Sequence, residues 1–394
     1  MTTIVIDAIF FQINEWSGIA KYWRNLLAGI DRRLDQDPQQ NIRVFLLIRG
    51  ESRSLRDMEY KHIHKLPISF FDYRCALSDF EHLGRLCREL EATVFISSYY
   101  TLAYGVANIG MAYDFIPEHL NVIHTHHSWA AKALYMKSLS CTLAISESTA
   151  LYASIFYPNI DSARDNVFYP PIEAREFKTI DPSKARDFRS RNSLLFPYLA
   201  IVGNRTNYKN VSLLTSALEQ RKPDQPPIPL GIVMTSGEEP SRDDINLYSR
   251  HFCFGVHRLN LTSEELTCLL HGAEMLFFPS LLEGFGYPVL EAMAQGCPVI
   301  TTGSTSIPEI LRHAQPDDYR IISGYDGKEA LQAIISLMHA RRRVSASTIA
   351  RLKEAFGTDE TPRFLSRIQQ LAPTARPPLD DYLPACRTLD GLLA

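Results

Sequence analysis

Short apolar runs alternate along the chain with longer stretches whose apolar residues recur every three or four positions. In the first half the runs Ile4–Ala8, Val44–Ile48, Val94–Ser97, Gly110–Tyr113, Leu143–Ser146 and Val167–Tyr169 predict strands. Between the first two, Ile19, Trp23, Leu26, Leu27, Ile30 and Leu34 keep the spacing of one buried helix face. The second half restarts with Tyr198–Val202 and continues through Leu230–Met234, Cys253–Val256, Met275–Phe278, Val299–Thr301 and Tyr319–Ile322. Strands separated by helices predict an α/β protein whose sheets are parallel and built of βαβ units.

The pattern breaks at Tyr169-Pro170-Pro171, where a proline pair continues neither ladder nor helix, and a polar stretch Glu173–Asn192 follows. The expected organisation is a first domain over 1–172, a linker over 173–195, a second domain over 196–371, and a tail over 372–394 that is free to pack back on the first. A length of 394 residues suits two domains. No solenoid-length repeat or low-complexity segment interrupts them.

Composition narrows the function classes. A formal net charge of −3 gives no electrostatic case for nucleic acid. No apolar run is long enough to cross a bilayer, and the opening Met-Thr-Thr-Ile-Val-Ile-Asp reads as a strand with no basic leader. The expected location is the cytoplasm, with a peripheral position at the inner face of the membrane left open. Seven scattered cysteines, Cys75, Cys87, Cys141, Cys253, Cys268, Cys297 and Cys386, form no Cys-x-x-Cys pair, so neither a disulfide framework nor a zinc knuckle is expected.

The candidate chemistry lies in the stretch from Phe277 to Ile300, which reads as strand, glycine-rich turn, helix and second strand. Pro288 suits the first helical turn, Gly296 the left-handed residue that ends the helix, and Pro298 a stop. Gly284 and Gly286 let main chain approach a ligand, and N–H groups at the helix start face an anion such as a diphosphate. Glu283 in the turn and Glu291, placed in the first helical turn, are positioned to accept from hydroxyls. Two carboxylates flanking a phosphate-binding turn describe a sugar-nucleotide site; taken alone, the same residues equally describe a tight glycine turn with two solvated glutamates.

This block resembles the E-x7-E motif of retaining glycosyltransferases of family 4, which have the GT-B fold. The resemblance extends over most of the chain. Ser17-Gly18-Ile19-Ala20-Lys21-Tyr22 looks like the family's N-terminal glycine loop beside the acceptor. Met111-Ala112-Tyr113-Asp114-Phe115-Ile116-Pro117-Glu118 looks like its His-Asp strand-end motif, with Tyr113 in place of the usual histidine. Ala144-Ile145-Ser146-Glu147-Ser148-Thr149 matches a strand-to-helix signature. Gly203-Asn204-Arg205 with Tyr208-Lys209-Asn210 resembles the Arg/Lys pair that grips the donor diphosphate. Ser306-Ile307-Pro308-Glu309 matches the segment after the next strand, and its spacing is that of a capping box.

The resemblance implies two Rossmann-like domains facing a central cleft, with the donor bound largely by the C-terminal half. It makes Arg205, Lys209, Glu283 and Asp114 the catalytic set. Glu283 would hold the donor sugar's hydroxyls and Glu291 those of the ribose, while Arg205 and Lys209 would neutralise the leaving diphosphate. Gly203, Asn204, Gly284, Phe285, Gly286 and Tyr287 would line the donor site, and Gly18 and Tyr113 the acceptor side. Asp114 either accepts from the acceptor or caps Phe115–Glu118. No metal and no cofactor are expected beyond the sugar nucleotide as co-substrate.

Other features receive plainer readings. His124, His126 and His127 lack a partnering carboxylate or thiolate and are read as solvated or acceptor-facing rather than metal-binding. Arg341-Arg342-Arg343 follows a helix and complements its dipole. Trp16 either stacks on an acceptor sugar or packs, and Thr262-Ser263-Glu264-Glu265 starts a helix.

The expected activity is transfer of a sugar, mannose from GDP-mannose foremost, to a glycan or lipid-linked acceptor in polysaccharide or glycoconjugate synthesis. The alternatives are a transferase using UDP- or dTDP-sugars and a catalytically silent GT-B subunit that binds a glycan or a partner enzyme.

Overall fold

The computed structural model describes residues 1–377 apart from 51, 73–75, 161–162, 173–176, 178–179, 206 and 223, and leaves aside the side chains of His124 and Arg164. Cys75, Cys386 and the tail beyond residue 377, including the apolar run Leu389–Leu393, lie outside the described residues.

The chain divides into two compact units, one of residues Met1–Pro171 joined by the chain from Asp359, the other of Ile172–Thr358. The first holds β1 (Thr2–Asp7), β2 (Ile42–Arg49), β3 (Ile63–Ile68), β4 (Val94–Ser97), β5 (Ala107–Ala112) and β6 (Thr142–Ala144). They form one parallel sheet in the order β3-β2-β1-β4-β5-β6. The second unit holds β7 (Tyr198–Val202), β8 (Gly231–Thr235), β9 (Val256–Leu259), β10 (Met275–Phe278), β11 (Val299–Thr302) and β12 (Tyr319–Ile322). Its parallel order, β12-β11-β10-β7-β8-β9, repeats the first with the same reversal of direction. In such sheets ligands bind outside the carboxyl ends of the strands where the order reverses, here β1/β4 and β7/β10.

Central strands are continuous apolar runs because both their faces are covered: every residue of β4, β7, β8, β10 and β11 is buried. The expected bounds of β4, β7, β10 and β12 coincide with the observed ones. Three readings need correction. Val167–Tyr169 is not a strand, since only Val167 makes a single bridge, to Ala144. Of the run Cys253–Val256 only Val256 belongs to β9. β3 escaped notice because it is an edge strand of mixed polarity carrying Pro67.

The unit boundaries also differ from the sequence reading. Within the expected linker, Pro182–Arg191 is a helix of the second unit, capped by Asp181, which accepts from the Ser183 N–H at 2.8 Å. Its exposed positions are polar, while Ala185 and Phe188 are buried. The helix Thr361–Leu371, assigned by sequence to the second domain, belongs to the first unit. There Phe364 meets Phe168 edge-on at 5.5 Å, and the Arg363 guanidinium lies 3.9 Å over the same ring. Gly29 of the helix Gly18–Gln36 is packed so closely on Thr361 that a Cβ would collide with its hydroxyl.

At the carboxyl ends of β1 and β2 a guanidinium is buried between two carboxylates. Arg49 donates to Asp7 at 2.8–3.0 Å and to Asp79, on the helix Ala76–Glu89, at 2.8 and 2.9 Å. Thr101 adds a hydroxyl to Asp7 at 2.7 Å. The Arg49 and Asp7 side chains are 1% and 0% exposed. Burial pushes the Asp79 carboxyl above its ordinary range against the pull of Arg49. Removing the cation would strand Asp7 in low dielectric, where an uncompensated charge costs about 3–5 kcal/mol. Arg49→Leu is therefore expected to destabilise the protein by about that amount, read as a fall in the urea midpoint of the transition that unfolds the first unit; an unchanged midpoint contradicts this.

Candidate functional site

The second unit gathers most of the candidate residues at the carboxyl ends of β7 and β10. After Val202 the chain turns at Gly203, whose φ of +95° favours glycine and whose missing side chain leaves open space. Its N–H lies 3.4 Å from the Thr235 hydroxyl at the end of β8. The Asn204 side chain accepts from the Arg205 N–H at 2.7 Å. A single 3-10 turn, Asn207–Lys209, then carries Lys209 over the rings of Phe278 (5.2 Å) and Tyr208 (5.4 Å). Asn210 ties this turn to the loop after β12, donating to the Gly324 carbonyl at 2.8 Å.

From the loop after the adjacent strand β10 comes Glu283, and Lys209 Nζ donates to its Oε1 at 2.6 Å. These side chains are 18% and 10% exposed. The two loops are held together by main chain as well, since the Leu281 N–H donates to the Tyr208 carbonyl at 2.8 Å. Hydroxyls from the loop after β11 fix Glu283 on both sides. The Thr305 hydroxyl accepts from its N–H at 2.9 Å, and the Ser306 hydroxyl donates to its carbonyl at 3.2 Å. Ser306 therefore forms no side-chain cap, and the capping box read from Ser306 and Glu309 is absent. The box at Thr262 and Glu265 does form.

Gly286, at φ +99°, makes the turn that opens the helix Tyr287–Ala294, with Pro288 in its first turn. A Cβ on Gly286 would lie 2.5 Å from Ile307 Cδ1. Because the helix starts only after this residue, Glu291 is its fifth residue and stands in the second turn, not the first; it is half-buried. Gly284 is also half-buried. The Phe285 side chain is 3% exposed and packs on Phe356 (5.7 Å) and Tyr287 (5.5 Å), so only its main chain is left to face a ligand.

Arg205 lies on the β8 side of the site, where its Nη1 donates to the Ser236 carbonyl at 2.7 Å. Its Nη2 has no hydrogen-bond partner among the described residues. Burial, and then the neighbouring Arg258, pull this guanidinium below its ordinary value. Arg258 belongs to β9. It is anchored by Glu239 at 2.9 Å and the Gly237 carbonyl at 2.8 Å, which makes a second cation beside Arg205. Thr305 gave no sequence signal, because a hydroxyl that positions another residue's main chain belongs to no motif.

The first-unit candidates are more structural. Tyr113 is buried at the end of β5; its hydroxyl accepts from Trp23 Nε1 at 2.6 Å and donates to the Ser98 carbonyl at 2.8 Å. Burial pushes its phenol well up. Both hydrogen bonds of the Tyr113 hydroxyl are thus made inside the fold. Asp114 accepts from the Ile116 N–H at 3.1 Å, the capping alternative, and its side chain stays 30% exposed. Below it a buried Lys132 donates to the Asp114 carbonyl and to Glu118, both at 2.7 Å. Gly18 is exposed as the first residue of its helix, and Trp16 beside it is 79% exposed. Ser146 caps the helix Glu147–Phe156 by accepting from the Thr149 N–H at 3.0 Å.

His126 caps the helix His127–Ser138. Among the described residues no group of three or more His, Cys, Asp or Glu side chains could hold a metal ion. The Asp-x-Asp of the chain, Asp35-Gln36-Asp37, ends the helix Gly18–Gln36, where Asp35 pairs with Lys61 (3.2 Å) and Asp37 with Arg33 (3.3 Å). Arg343 donates to the carbonyls of Ala273, His271 and Gln295 at 2.6–2.9 Å and so closes two helix ends. Among the described residues no helix is long and apolar enough to cross a membrane.

Comparison with known proteins bears on the fold and the family. Residues 186–354 match the family described as "Glycosyl transferases group 1". The chain is 41% identical over 66 residues to the O-antigen chain mannosyltransferase B of Escherichia coli, covering 16% of this chain and 17% of that one. It is 23% identical over 266 residues to the lipopolysaccharide core biosynthesis mannosyltransferase LpsB of Rhizobium meliloti strain 1021, covering 62% and 69%. The chain thus spans less than a fifth of the first of these relatives. A sucrose-phosphate synthase structure from Thermosynechococcus elongatus superposes with a TM-score of 0.68 at 14% identity, over 95% of this chain and 100% of that one. With the two parallel sheets, this likeness shows an α/β two-domain fold of the GT-B type.

Gly286 offers a test of the turn on which this site is built. A left-handed residue with a side chain costs about 1–3 kcal/mol, and the collision with Ile307 adds to it. Gly286→Ala is expected to destabilise the second unit by about 2–4 kcal/mol, read from chemical denaturation. A loss below about 0.5 kcal/mol would show that the turn adapts without strain.

Proposed function

We propose that the chain is a retaining glycosyltransferase that moves a sugar from a sugar nucleotide to a glycan or lipid-linked acceptor. One observation carries the reading. Lys209 and Glu283, 74 residues apart, meet at the carboxyl ends of the strands where the order reverses, beside the amino end of the helix Tyr287–Ala294. The site thus offers an anion-binding helix start, a cation and a hydroxyl-accepting carboxylate within one loop pair. The family match over residues 186–354 supports it. GDP-mannose is the leading donor, because the relatives' names specify mannosyltransferases. A lipid-linked acceptor would bring the protein to the inner membrane surface.

In this reading the diphosphate lies on the helix N–H groups with Lys209 and Arg205 against it, and Glu283 and Glu291 accept from sugar and ribose hydroxyls. As the bond from the anomeric carbon to the diphosphate oxygen breaks, negative charge collects on that oxygen, where fixed cations and N–H dipoles favour the transition state. The acceptor oxygen bonds to the anomeric carbon on the same face, and its proton passes to the departing phosphate oxygen. No separate protein base is needed, which is compatible with Asp114 as a cap and Tyr113 as a buried residue. Protein groups supply the neutralising charge, so turnover requires no metal.

Three outcomes test the proposal. Arg205→Ala and Lys209→Ala should each lower kcat/KM by about 10²-fold or more, the usual loss for one group facing developing charge; rates within threefold of wild type in both would refute the assignment. Incubated with donor and acceptor in EDTA, the protein should still turn over, and the anomeric coupling of the product, read by NMR, should match the donor's. An inverted product would make Asp114 the leading candidate for a general base.

A further inference from the structure

The Lys209–Glu283 pair joins two groups that the proposed reading assigns to different parts of one ligand, the cation to the diphosphate and the carboxylate to the sugar. At 2.6 Å, and with side chains 18% and 10% exposed, each is the close counter-charge of the other. The main chain is held at both ends, by Thr305 and Ser306 at Glu283 and by the Tyr208 carbonyl on the Leu281 N–H beside Lys209, so that only the side chains are left to move. A half-buried ion pair cannot lose one partner cheaply, since the remaining charge needs compensation.

An incoming phosphate therefore competes with a carboxylate already bonded to its cation. The competition is resolved only when Glu283 receives other donors, because an ionised carboxylate accepts hydrogen bonds and offers none. The hydroxyls of a transferable sugar are such donors. A free nucleoside diphosphate lacks them and carries more negative charge at its terminal phosphate, so Glu283 either keeps Lys209 or stands uncompensated beside an anion.

We propose that Glu283 discriminates the sugar nucleotide from the nucleoside diphosphate that remains after transfer. With the sugar present, its carboxylate exchanges Lys209 for sugar hydroxyls, and Lys209 turns to the phosphate. Once the sugar has left, the carboxylate reclaims Lys209, and the diphosphate loses a cation and departs. This inference rests on the reading of the donor site given above.

Calorimetric titration separates the two ideas. Wild type, Glu283→Gln, Lys209→Met and the double variant are titrated with GDP, UDP, GDP-mannose and UDP-glucose. Glu283→Gln should bind the nucleoside diphosphate at least fivefold more tightly than wild type does, without a matching gain for its sugar nucleotide. The gain should vanish when Lys209 is also replaced. Glu283→Asp, which draws the carboxylate back without removing its charge, should give a smaller change of the same sign and serves if Glu283→Gln fails to fold. Equal affinity of wild type and Glu283→Gln for the diphosphate, an equal gain for both ligands, or a gain that persists without Lys209 would each overturn the inference while leaving the glycosyltransferase reading intact. A wild-type protein that binds none of these four, nor dTDP and dTDP-glucose, would overturn that reading itself.

Discussion

A parallel strand must be covered on both faces, and this constraint governs everything else in the molecule. It requires a crossover between neighbouring strands, usually a helix, and so places every strand-to-helix turn at the same edge of the sheet. Where the order reverses, between β7 and β10, the two turns lead their chains away in opposite directions and leave a crevice. Lys209 and Glu283 are contributed by those two turns. Their meeting follows from topology before it follows from mutual attraction.

The local chemistry then makes the crevice rigid. Hydroxyls of Thr302 and Ser304 bond the Ser280 carbonyl, and Thr305 and Ser306 hold Glu283, so the loops after β10 and β11 behave as one piece. The left-handed turn at Gly286 sets where the helix begins and hence where its N–H groups point. Short polar side chains suit this work, because each orders a loop with little loss of rotamer freedom. The buried Arg49 plays a comparable part at the ends of β1 and β2, with two carboxylates in place of hydroxyls.

Strand positions were legible wherever burial on both faces makes the residue pattern continuous, as in β7 and β10, and not at the edge, where β3 mixes histidine, lysine and proline. The glycine turn and its two glutamates were legible because each residue type answers a local backbone or ligand requirement. Long-range partners were not. The sequence offers no sign that the Tyr113 hydroxyl meets Trp23, or that Ser306 serves Glu283 rather than its own helix. Polar composition likewise misrepresented Pro182–Arg191, where two buried residues suffice to dock a helix whose other faces are wet. The helix Thr361–Leu371 was misassigned for a related reason: an amphipathic pattern records that a face is buried, not against what.

That helix has a consequence for biogenesis. The first unit is discontinuous in sequence, and its covering segment is separated from the rest by the whole of Ile172–Thr358. During synthesis the groove around Gly29 and Phe168 stays uncovered until the ribosome has finished the second unit. Domains usually fold in the order in which they emerge, but here the earlier-made one must await its last element. The nascent chain thus has an interval in which both sheets are complete but the first unit still lacks its last helix, and in which Phe168 and its neighbours face solvent or a chaperone.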